Sequence, residues 1–231
     1  MGECDLNMLN APHFDGHQDM NVAIRTTIQY DYSYIEAAAV QIGDDVLEVG
    51  SYGDFAVNGV DTPDWGGKAG HIGGYELYHT QVSKMKHTYD IVLSPTENIT
   101  LASYKQLVSI HIKVDENKEK FFANSKGLLG SVKGELLSRD GGLMEPGNAY
   151  AEEWQVTDEE TSLFRIARAP QYPAKCNMPV PMAVSARRLG QTIAEEAAQK
   201  ACSHKVGKAF ENCVYDVMAT GDLELALAGA Y

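Results

Sequence analysis

The stretch Asn21-Val22-Ala23-Ile24-Arg25-Thr26-Thr27-Ile28 places Val22, Ile24, Thr26 and Ile28 on one face of an extended chain. Successive side chains of a strand point to opposite sides, so a period of two predicts a half-buried β-strand. The pattern continues outward. Ser33 to Ile42 and Val46-Leu47-Glu48-Val49 read as two further strands, with Gly43-Asp44-Asp45 between them as a tight hairpin connection. Phe55-Ala56-Val57 is a short strand running into an Asn58-Gly59 turn. The segment 61–74, from Asp61 to Gly74, holds Pro63 and five glycines and reads as a long loop. Tyr75 to Val82, Thr88 to Leu93, Ile99 to Ser103 and Leu107 to Val114 supply four more strands. Many short strands at this spacing predict an antiparallel sandwich or open barrel.

The character changes after about residue 145. Pro170, Pro173, Pro179 and Pro181 mark an extended linker, and beyond it the pattern turns helical. Thr192-Ile193-Ala194-Glu195 has capping-box spacing ahead of the strong helix formers of 194–201. A second helix is expected over 205–219, with Phe210, Cys213, Val214 and Val217 on one stripe and Gly221 as its C-cap. A third, short helix is expected over 223–228.

Of the 231 residues 44% are apolar and 22% charged, as in ordinary globular proteins. The formal net charge of −13 argues against a nucleic-acid partner, because phosphate binding needs basic patches. No stretch approaches the roughly 18 to 20 apolar residues of a membrane-spanning helix. Met1 to Leu6 has neither the basic region nor the apolar core of a signal peptide.

Two further stretches carry a family resemblance. Gly127-Leu128-Leu129-Gly130-Ser131-Val132-Lys133-Gly134 is a glycine-punctuated turn, and Ala149-Tyr150-Ala151-Glu152-Glu153-Trp154 is an aromatic anchor ahead of Cys176. Together they resemble the second half of a von Willebrand factor type D (VWD) domain, which shows G-L-C-G-N-F-N-G and then F-G-x-x-W before a cysteine. Gly2-Glu3-Cys4-Asp5-Leu6-Asn7-Met8-Leu9 is similar to the family's G-x-C-x-Y/L-x-L strand. The resemblance implies a mainly β fold, an antiparallel VWD-like sandwich over 1–176, with a Pro-rich linker and cysteine-stapled helical tail over 177–231. In the family an F-D-G segment precedes the first cysteine. His13-Phe14-Asp15-Gly16 follows Cys4 here, so the expectation is a domain cut at its N-terminus.

The resemblance also implies the cysteine pairing. Cys4 and Cys176 match the family's first-strand and post-tryptophan cysteines, and Cys202 with Cys213 would staple a helical hairpin. The two cysteines of the family's C-G-L-C-G fall on Lys126 and Leu129, and their partners are absent as well, which implies a reduced member. In several family members the turn binds calcium. Calcium takes six to eight oxygen ligands, whereas this turn offers Ser131 and Lys133, with Asp140 as a carboxylate that Lys133 would pair with. The site reads as degenerate, with no cofactor expected.

Catalytic constellations are missing from the sequence. His71, His79, His87 and His111 form no H-E-x-x-H or H-x-H arrangement, and no nucleophile elbow, phosphate-binding loop or dinucleotide fingerprint occurs. Asn98-Ile99-Thr100 is an N-glycosylation sequon. Tyr30, Tyr32 and Tyr34 share one face of a strand and read as packing residues. The function implied is a non-catalytic extracellular or cell-surface module, for adhesion or matrix assembly, with an extracellular protein or glycan as partner. The competing expectation is a carbohydrate- or divalent-cation-binding module that uses the 61–74 loop.

Overall fold

A computed structural model describes residues 3–29, 32–63, 65, 69–113, 115, 122–131, 133–157, 159–160, 162–164 and 193–227. Two antiparallel meanders form the body. The first is a six-stranded sheet in the order β1 (Asp5–Phe14), β2 (Gln18–Gln29), β3 (Tyr32–Ile42), β4 (Asp45–Val49), β5 (Phe55–Val57) and β6 (Val60–Asp61). The second has five strands: β7 (Gly70–Ile72), β8 (Tyr75–Ser83), β9 (Lys86–Val92), β10 (Asn98–Tyr104) and β11 (Leu107–Lys113), with β11 and β7 at its edges. Each strand is joined to the next in sequence and pairs with it inside its sheet, so the register is set locally by the turns. The Asn58-Gly59 turn has positive φ at both residues (54° and 77°), as expected of a two-residue hairpin loop.

The alternation read from the sequence is what builds the core. Val22 and Ile24 of β2, Val40 and Ile42 of β3 and Leu47 and Val49 of β4 are buried against Leu77, Tyr89, Ile91, Ile99 and Leu101 of the second sheet. The opposite face of the first sheet departs from the usual solvated side of an antiparallel sheet. Ala23, Ala37, Ala39 and Val46 are buried there beneath Leu163 and Phe164. Small alanine side chains leave room for that segment to lie flat. Arg25 and Asp5, which the register puts directly opposite one another, are buried on this strand pair under the Phe164 ring.

The loop expected over 61–74 contains a strand. Ile72 is fully buried and Gly70 to Ile72 pair with Tyr75 to Leu77, so the glycines serve a tight hairpin. Asp15 to His17 form the β1–β2 turn, and Phe14, the last residue of β1, is fully buried against Tyr75 and Phe122.

The tail is helical where described. α1 (Asn148–Glu153) lies ahead of Trp154, and α2 (Glu195–Ala201) and α3 (Gly207–Thr220) form a hairpin followed by a 3₁₀ turn over Leu223–Leu227. Gly221 caps α3 in the left-handed conformation, its N–H donating to the Val217 carbonyl. The N-cap of α2 is Ala194, without a side-chain cap; its carbonyl accepts from Ala197 and Ala198 instead. Thr192 of the expected capping box lies outside the described residues. Cys202 and Cys213 are joined at 2.01 Å, and their pair forms a small core with Ala198, Val217 and Ala226. The tail is tied to the second sheet: Lys105 Nζ, in the β10–β11 turn, lies 2.6 Å from Asp222 and 3.2 Å from Glu224, and the Tyr104 hydroxyl donates to Glu224.

Candidate functional site

A strand at the end of a sheet exposes one row of backbone donors and acceptors, and β1 is such a strand. Its outer edge is covered by the two stretches that carried the family resemblance. Asn10 exchanges backbone hydrogen bonds with Lys126, at 2.6 and 2.9 Å. Leu128 and Leu129 donate to the carbonyls of Asn7 and Met8, at 3.0 and 3.1 Å. Farther toward Cys4, the Asn7 N–H donates to the Trp154 carbonyl and the Val156 N–H to that of Asp5. The approach demands glycine at position 127. Its φ is +152°, and a Cβ there would lie 2.4 Å from the Met8 carbonyl oxygen and 2.7 Å from Leu9 Cα.

The aromatic anchor holds this cover in place. Tyr150, buried, donates its hydroxyl to the Gly127 carbonyl, and buried Trp154 donates Nε1–H to the Leu137 carbonyl at 3.0 Å. The Arg139 guanidinium sits 5.4 Å from the Trp154 ring centroid and donates to the carbonyls of Glu153 and Gln155 and to the Glu160 carboxylate. Burial opposes ionisation of Glu160, but the bonds from Arg139 and the Thr157 N–H outweigh it and hold the carboxyl below its ordinary range.

Within the turn, Ser131 closes a small loop with Glu135: its N–H donates to the Glu135 carbonyl and its Oγ accepts from the Glu135 N–H. Lys133 is exposed. Asp140 lies in the following turn, exposed, and accepts from the Ser138 hydroxyl and the Gly142 N–H; those bonds, the Ser138 one first, lower its pKa. Among the described residues no ion pair joins Lys133 to Asp140. Nor do three or more His, Cys, Asp or Glu side chains among them gather as a metal-binding group.

The other residues singled out from the sequence are dispersed. Cys4 is buried at the start of β1, while Cys176 lies outside the described residues. Asn98 opens β10, an inner strand, half-buried; its Nδ2 donates to the Thr100 hydroxyl, which in turn donates to Asp90. In the 61–74 loop, Trp65 packs edge-on against Phe55 with Gly70 beneath its indole, and Gly73 is pinned between Asp45 and Gln18. Asp64 and residues 66–68 of that loop lie outside the described residues, as does Tyr30. His79 and His87 come together on β8 and β9, Nε2 to Nδ1 at 3.1 Å, with His79 stacked on Tyr89 at 4.8 Å. Burial first, then the neighbouring His87, lowers the pKa of His79.

One site had no sequence signal. Between β3, the β10–β11 hairpin and the helical tail lies a cavity of about 260 Å³, walled by Ile35, Leu107, Val108 and Leu225 and carrying Lys205 and Asp216. These residues are far apart in sequence, and only the docking of the tail unites them. In comparison with known proteins, no family model matches the chain and no curated protein matches it.

Proposed function

We propose that this protein is a non-catalytic extracellular interaction module of the VWD type, secreted or displayed at a cell surface and working in adhesion or matrix assembly with a protein or glycan partner. The observation that carries the reading is the covered edge of β1. The strand that follows Cys4, the Gly127–Gly130 turn and the Trp154 anchor resemble the family in order and spacing more than in identical letters, and here they share one hydrogen-bonded seam. In this reading Cys4 pairs with Cys176, and the turn keeps its architectural role without calcium. The disulfide in the tail suits an oxidising compartment.

The test is production of the full chain behind a secretion leader, followed by peptide mapping and binding to immobilised matrix proteins and a glycan array. Expected are a Cys4–Cys176 bridge, saturable binding to at least one of these ligands, and no turnover across a broad hydrolase panel. A different Cys4 pairing, binding to none of the ligands, or turnover that copurifies with the protein overturns the proposal.

A further inference from the structure

Two histidines eight positions apart in the sequence meet on β8 and β9. The register sets His79 opposite Tyr89 and Gln81 opposite His87, so the two imidazoles are diagonal neighbours on one face of the sheet. His79 Nε2 and His87 Nδ1 lie 3.1 Å apart, with the rings within 11° of parallel. Packing holds them there. The His79 ring stacks on Tyr89 at 4.8 Å and leans on Phe55 at 5.0 Å. The His87 ring rests on the backbone of Gly53, where a Cβ would lie 2.5 Å from it. His79 is exposed and His87 half-buried, so solutes reach the pair.

A hydrogen bond places one proton between the two facing nitrogens, whereas a metal ion uses both lone pairs. An imidazole nitrogen ligates zinc at about 2.0–2.1 Å, so two of them on one ion, at any angle from square to tetrahedral, stand about 2.8–3.4 Å apart. The spacing of His79 and His87 falls inside that range, which leaves a turn of each ring to aim its lone pair at the ion. The shared proton moves through water to the far nitrogen of the ring that held it, so two neutral imidazoles take up the ion without net release of a proton. Imidazole ligands favour copper, nickel and zinc, whereas calcium and magnesium take oxygen. The chain's net charge of −13 draws cations toward it. We propose that His79 and His87 form a two-imidazole site for a divalent transition-metal ion, with Cu(II) held most tightly and water filling the remaining positions.

Titration calorimetry of the full chain, free of any affinity tag, with Cu(II), Ni(II), Zn(II) and Ca(II) tests this. One Cu(II) per chain is expected to bind more tightly than Ni(II) or Zn(II), with no heat from Ca(II). His79→Gln and His87→Gln are each expected to weaken Cu(II) binding by about tenfold or more, since loss of a group that merely supports a metal ligand already costs about 10- to 100-fold. His71→Gln, a change at an exposed strand histidine outside the pair, is expected to leave it unaltered. Melting curves identify any variant that has lost its fold. The native chain gives an independent reading: substoichiometric Cu(II) is expected to broaden the imidazole NMR signals of His79 and His87 before those of the other histidines. No Cu(II) binding at submillimolar concentration, Ca(II) binding as tight as Cu(II), unweakened binding in a folded variant of either histidine, or first broadening at another histidine overturns the assignment and leaves the two as a hydrogen-bonded pair.

Discussion

Arg25 and Asp5 face each other across β1 and β2 as a bidentate pair, with Nε to Oδ1 at 2.7 Å and Nη2 to Oδ2 at 2.8 Å, both residues under 8% exposed. The pair sits on the outer face of the first sheet, where Phe164 lies over the guanidinium at 4.5 Å and keeps water away. Removing one partner leaves the other charge desolvated. Asp5→Ala and Arg25→Ala are each expected to destabilise the protein by about 3–5 kcal/mol in chemical denaturation. The double replacement Asp5→Leu with Arg25→Met should recover much of that loss, because neither member of the pair is left facing the other's vacated place. Additive losses in the double variant would show that the pair is not the source.

Gly127 and Gly134 belong to the same stretch and should respond differently to alanine. Both have positive φ, but a Cβ on Gly127 collides with the backbone of β1, whereas one on Gly134 meets nothing within 4 Å. Gly134→Ala is expected to lose about 1 kcal/mol from conformation alone. Gly127→Ala adds a clash that only backbone movement relieves, for a loss of about 2–4 kcal/mol. Equal melting temperatures for the two variants would contradict the tight seam between this turn and β1.

The His79–His87 pair gives stability a pH dependence whose sign is fixed by its surroundings. His79, though exposed at its outer edge, has a folded pKa below the ordinary histidine value, through partial desolvation first and then the nearby His87. The unfolded chain therefore takes up its proton first as pH falls. Stability from this group is complete above the ordinary value near 6.5, declines between there and the depressed folded value, and is level below it. Denaturation midpoints of the native protein and His79→Phe, measured from pH 8 to pH 5, are expected to converge on the alkaline side, apart from a constant offset. The native protein should fall more steeply on acidification. Parallel curves would show that His79 titrates as it does in the unfolded chain.

How much of this was legible in the sequence depends on how local each feature is. β2 followed from side-chain alternation, because burial on one face leaves a period of two; β3 and β4 continued that pattern, and β8 to β11 read as short strands separated by turn residues. The β5–β6 turn followed from Asn58-Gly59, the residue pair that tolerates positive φ at both positions. The buried outer face of the first sheet was not legible. Ala23, Ala37 and Ala39 read as ordinary strand residues, and the Phe164 that covers them is more than a hundred positions away. β7 was hidden because three glycines around Ile72 mark turns more strongly than one buried isoleucine marks a strand. Of the candidate sites, the Gly127 turn and Trp154 stood out through glycine and aromatic punctuation, whereas the Lys205–Asp216 cavity has no local pattern and exists only once the tail has docked.

That docking yields the last expectation. Cys202 and Cys213 are eleven positions apart, joined across the α2–α3 turn, and both lie in the tail's own small core. Constraining a loop of this length is worth at most about 3 kcal/mol in the chain-entropy account. The tail's other ties include that small core, the half-exposed pairs of Lys105 with Asp222 and Glu224, which are weak anchors, and the Tyr104 hydroxyl's bond to Glu224. Cys202→Ala with Cys213→Ala should therefore loosen the tail before the sandwich. Hydrogen exchange is expected to quicken at α3 amides such as Val217 while those of Val22 and Val40, in the paired interior of the first sheet, stay protected. Uniform loss of protection across both regions would show instead that the tail and the sandwich unfold as one cooperative unit.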